Sequence, residues 1–114
     1  MILKGDFNMF SKNKAFGGSV ISKNIVFGKG RLKWCVREKP LNTVDNGWRF
    51  FSNIDTEEFL SDYNNMQIMS WDDIVDIEPA ILAIWDFPVG SDLVLTNNGN
   101  EKIFYDTNTG ERVV

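Results

Sequence analysis

Residues 31–38, bounded by Gly28-Lys29-Gly30 and by Pro40, alternate with a period of two. Leu32, Trp34 and Val36 fall on one side, and Arg31, Lys33, Cys35 and Arg37 on the other. A helix scatters such a pattern around its circumference, whereas an antiparallel strand with one face on a core and one in water requires it. A half-buried strand needs neighbours. Val20 to Phe27, rich in β-branched and aromatic residues, lies upstream, and Gly47 to Phe51 follows a loop at Leu41 to Asn46.

The middle of the chain changes period. Asp55 is placed as a helix N-cap with Glu58 closing a capping box. That helix runs to about Tyr63, turning Phe59, Leu60 and Tyr63 inward and Glu57, Glu58 and Asp62 to water. Gln67 to Met69 reads as a short strand, and Ser70 with Asp73 repeats the cap for a turn through Val75. Pro79 suits the first position of a further short helix to Trp85, with Ile81, Leu82 and Trp85 as its apolar side. Asp92 to Thr96, the Asn97-Asn98-Gly99-Asn100 turn, Ile103 to Tyr105 and Arg112 to Val114 read as C-terminal hairpins over 94–114. The expectation is an α+β fold: a mostly antiparallel sheet with two or three short helices packed on one face. With no repeat or linker, residues 1–114 form a single domain, in which the weakly periodic residues 1–16 read as a loose arm or an edge segment.

Charge is unevenly divided. Residues 1–49 carry ten Lys or Arg against Asp6, Glu38 and Asp45, whereas residues 50–101 carry eleven acids and no base. Such a separation creates a field able to steer a charged partner. The pI near 4.7 speaks against direct nucleic-acid binding, which takes a basic footprint. No run approaches the ~18 apolar residues of a membrane helix, and the charged start Met1-Ile2-Leu3-Lys4-Gly5-Asp6 is unlike a signal peptide. The cytoplasm is the expected location.

Histidine is absent and Cys35 is the only cysteine. Imidazole acid–base work, His-assisted nucleophiles, His-ligated zinc and internal disulfides are therefore excluded. Carboxylates are the general bases left, and no spacing marks one pair of them out. Asp72, Asp73, Asp76 and Glu78 lack the spacing of a calcium loop, and Gly28-Lys29-Gly30 lacks the third glycine of a dinucleotide loop. No cofactor or metal site is expected. Cys35 reads as inert, and Trp34, Trp71 and Trp85 as core.

Arg37 and Glu38 close one strand while Trp48 and Arg49 open the next. Pairing those strands would bring a guanidinium, a carboxylate and an indole to one sheet end. Arg and Trp are enriched among residues that dominate binding energy; a cross-strand salt bridge beside a core tryptophan is the structural alternative, and both can hold.

The segment Val36-Arg37-Glu38-Lys39-Pro40, followed after a short loop by Asp45-Asn46-Gly47-Trp48-Arg49-Phe50-Phe51-Ser52, resembles a bacterial family grouped as immunity protein thirty-three. Glu57-Glu58-Phe59-Leu60, the Pro79 helix and Asp86-Phe87-Pro88-Val89-Gly90-Ser91 add to the resemblance, which spans about 18–93. Lys39 and Asn53-Ile54 depart from its more acidic pattern. The resemblance implies a non-enzymatic immunity protein of a polymorphic toxin system, which binds and neutralises a cognate toxin. The acidic half suits a basic toxin such as a nuclease. Arg37, Glu38, Trp48 and Arg49 are the expected partner-binding residues, with Asp72, Asp73 and Asp76 as outer charges. Two other readings stay open: a regulatory module with a deep apolar pocket, and a carboxylate-based hydrolase with facing acids of perturbed pKa.

Overall fold

A computed structural model describes residues 16–114. Its strands are β1 (Gly18–Ser22), β2 (Leu32–Arg37), β3 (Asp45–Ser52), β4 (Met66–Ser70), β5 (Asp92–Asn97) and β6 (Lys102–Asp106). The helices are α1 (Lys23–Val26), α2 (Glu57–Leu60) and α3 (Trp71–Ile77), with 3₁₀ turns at Tyr63–Asn65 and Pro79–Ile84. All six strands join one sheet in the order β4-β1-β3-β2-β5-β6. Every pairing is antiparallel except β1 with β3, which is parallel. The fold is α+β. Of residues 1–16, all but Phe16 lie outside the described residues.

The two faces of the sheet follow from register. Cys35 pairs with Phe50 and with Leu93, and Ile21 with Phe50. These side chains share a core with Trp48, with Ile25 of α1, with Trp71 and Ile74 of α3, and with Ile81 and Ile84. Burying each large apolar side chain contributes roughly 1.5–3 kcal/mol. The opposite face centres on Val20 and Met66, with Leu41, Val44, Phe51, Leu60 and Ile68 against them. Leu60 places α2 on this second face, so the helices do not all share one side.

The alternation in β2 is broken. The β2–β3 register shifts between Leu32 and Trp34, so two residues separate Leu32 from the next inward side chain. Leu32 and Cys35 are buried, while Trp34 and Val36 turn to the second face, half-buried. Cys35, expected on the polar face, is fully buried, and burial pushes its thiol well above its ordinary range, helped by the negative charges of Glu78 and Asp92.

Upstream and downstream, caps decide the boundaries. Ser22 ends β1 early because its hydroxyl accepts the Asn24 N–H and starts α1, where a continuous strand to Phe27 was expected. Asp55 caps no helix. Its carboxylate instead gathers the hydroxyls of Ser22 and Ser52, the Asn24 amide and the Ser52 N–H. Thr56 caps α2, which stops after four residues, leaving Tyr63 exposed. Ser70 caps α3 as expected, accepting the Asp73 N–H. Asn98 and Gly99 lie in the β5–β6 connection, and the tail meets β6 through a Tyr105–Arg112 bridge rather than a full strand.

Candidate partner-binding site

The β2–β3 connection is held by one glycine. Gly47 has φ +88°, and a Cβ there would run into the Glu38 carbonyl oxygen. That close approach sets Arg37 opposite Trp48 and Val36 opposite Arg49. The four residues singled out at this sheet end are therefore neighbours, but they do different work.

Arg49 and Asp45 form a buried pair. Nη1 and Nη2 of Arg49 donate to the two Asp45 oxygens at 2.9 and 2.8 Å, and Nε donates to Glu38 at 2.8 Å. The side chains of Arg49 and Asp45 are 1% and 0% exposed, that of Glu38 53%. Burial pushes the Asp45 carboxyl up, but hydrogen bonds from Arg49 and from the Leu41 and Gly47 N–H groups outweigh it and hold it below the usual range. For Arg49, burial works downward and is outweighed by Asp45 and Glu38, which raise its pKa. Trp48 is fully buried, stacked with Phe50 at 6.0 Å. Trp48 and Arg49 thus offer no surface to a partner; they brace the strand end from beneath.

Arg37 is half-buried and staples three segments. Its Nε donates to the Asn46 carbonyl at 3.0 Å, and Nη1 to the carbonyls of Trp85 and Phe87 at 3.1 and 2.6 Å. The guanidinium carbon lies 5.5 Å from the Trp48 ring and 5.6 Å from the Trp85 ring. A cleft of about 200 Å³ opens beside it, lined among others by Phe16, Thr43, Asp45, Asn46 and Trp85.

The outer acids sit elsewhere. Asp72, Asp73 and Asp76 are exposed on α3, with Asp72 and Asp73 in its first turn, where the helix dipole favours them. Sequence reasoning missed their apolar neighbours. Leu82, expected to face inward with Ile81 and Trp85, is 61% exposed, and Ile77 at the end of α3 is exposed as well. The reason is the 3₁₀ winding of Pro79–Ile84: at three residues per turn Ile81 and Ile84 eclipse each other inward and Leu82 is rotated away. A proline followed by this spacing was the available signal. Glu78, the next acid after Asp76, is nearly buried and holds the Lys102 ammonium with both oxygens at 2.7 and 2.9 Å.

The carboxylates divide between the faces. Glu57, Glu58 and Asp62 are exposed on and after α2, which leans on the second face, while Asp72, Asp73 and Asp76 belong to the helix covering the core face. Among the described residues the acid bordering the cleft is Asp45, committed to Arg49 and pulled down rather than up, which suits neither a general acid nor a general base at neutral pH. Among the described residues, no three Asp, Glu or Cys side chains converge as a metal site would require.

Comparison with known proteins adds one finding to this geometry. A family model described as the Immunity protein Imm33 domain matches residues 19–104, from β1 into β6. No curated protein and no solved structure matches.

Proposed function

The chain belongs to the Imm33 immunity protein family, and from that premise we propose that it binds a cognate toxin in the cytoplasm and neutralises it by occupancy, without catalysis. The observation that carries the reading furthest is the outer face of α3 and the Pro79–Ile84 turn. These two elements pack together; α3 exposes Asp72, Asp73, Asp76 and Ile77, and the turn exposes Leu82. Interfaces commonly place a desolvated apolar anchor within a polar rim. The acidic rim favours a basic toxin, raising its association rate, and the apolar residues slow its departure. Glu38, exposed at the same end of the sheet, where Gly18 pairs with both Asp45 and Ser70, and tied to Arg49, is a second reachable charge.

Co-expression with the product of the neighbouring gene tests the reading. Rescue of growth together with co-purification at a fixed stoichiometry is expected. Continued toxicity with no complex would end it.

A further inference from the structure

The Arg37 cleft carries chemistry that the α3 face does not use. Three of the guanidinium's N–H groups are spent on backbone carbonyls, through Nε and Nη1. Nη2 has no partner among the described residues. It is not a buried unsatisfied atom either, so its N–H donors reach solvent. No ion pair to Arg37 forms among the described residues. The one carboxylate bordering the cleft among the described residues, Asp45, already has both oxygens on Arg49. A fixed cation without a counterion among the described residues thus stands half-buried between two indole rings, where a charge pair is stronger than in open water.

We propose that this cleft receives one carboxylate side chain, an aspartate or glutamate of the bound toxin, on Nη2 of Arg37. The volume of about 200 Å³ admits a single side chain, below the range of small-molecule sites. The staple fixes the guanidinium before the partner arrives, so little side-chain entropy remains to be lost on binding. Exposed Thr43 stands at the same cleft and touches none of the Arg37 hydrogen bonds. The identity of the occupant rests on the toxin-binding reading; the cleft's preference for a carboxylate does not.

The first measurement therefore needs no toxin. The Arg37 Nε–H and the Trp85 indole N–H signals of the labelled full chain are followed while sodium acetate replaces sodium chloride at constant ionic strength. A saturable shift at Arg37 in the millimolar range is expected, as befits so small a ligand. Thr43→Glu, which brings its own carboxylate to the cleft, should abolish that shift, and Thr43→Gln should keep it. Shifts no larger in acetate than in chloride, shifts unchanged in Thr43→Glu, or equal competition by inorganic phosphate would overturn the carboxylate assignment. With a toxin in hand, Thr43→Glu should weaken the complex at least tenfold and Thr43→Gln leave it intact; equal affinity for both would remove the toxin's carboxylate from the cleft. An acetate site in a chain that captures no toxin supports the cleft and sinks only the toxin-binding reading.

Discussion

Replacing Arg49 by Met keeps most of the side-chain volume and removes the charge that faces Asp45. The Asp45 carboxylate would stay at 0% exposure with only the Leu41 and Gly47 N–H groups as donors, each at 2.8 Å. Removing one partner of a buried pair costs about 3–5 kcal/mol, because the other is left as an uncompensated buried charge. Domains of this size are stable by about 5–15 kcal/mol in total. Urea unfolding at pH 7 should therefore show Arg49→Met reduced by a large part of its stability. The half-exposed Glu38 contact is worth at most about 1 kcal/mol, and Glu38→Gln should show that. The double variant Asp45→Asn/Arg49→Met should be less destabilised than Arg49→Met alone, since the stranded charge is gone. The pH dependence has a definite sign. Asp45 titrates lower in the folded chain than in the unfolded one, so the unfolded chain binds more protons between the two values. Its contribution is complete above about pH 4 and is lost as pH falls through the folded value. Arg49→Met should flatten that acid limb. A loss below about 1 kcal/mol in Arg49→Met, or an equal loss in Glu38→Gln, would refute the view that this pair frames the sheet end.

Gly47→Ala should unfold at clearly lower denaturant than wild type, by about 2 kcal/mol or more, since a left-handed backbone and contact with the Glu38 carbonyl both penalise a methyl group. Cys35 should resist alkylation in the folded protein at pH 8 and react promptly in urea, as a buried thiol with a raised pKa must. Leu82→Ala should alter stability by no more than about 0.5 kcal/mol, yet speed toxin dissociation. The triple change Asp72→Asn, Asp73→Asn, Asp76→Asn should slow association at low salt and flatten its salt dependence in stopped-flow mixing.

The strand segments could be read from β-branched and aromatic runs between turn signals, although the alternation read in β2 is interrupted by a bulge and β1 pairs in parallel with β3. What escaped depends on contacts between distant parts of the chain. The bulge after Leu32 is a matter of register against Ser52 and Phe51, so the placement of Cys35 in the core could not be seen from β2 alone. Asp55 had the form of an N-cap, but Ser22, Asn24 and Ser52 compete for its oxygens and win. Leu82 was read with a helical period of 3.6, and the tighter winding after Pro79 turned it outward. At the candidate site, the proximity of Arg37, Glu38, Trp48 and Arg49 was legible from the two flanking strands. Their division into a buried brace and an accessible rim was not, because it depends on Asp45 folding back onto Arg49 and on Arg37 lodging between Trp48 and Trp85.

Hydrogen exchange of the chain alone and in complex with its toxin reads the surface directly. The account predicts added protection over residues 72–84, with a second protected stretch around 37–46 if the cleft is filled. Protection confined to the β5–β6 hairpin, with residues 72–84 exchanging as in the free chain, would contradict it.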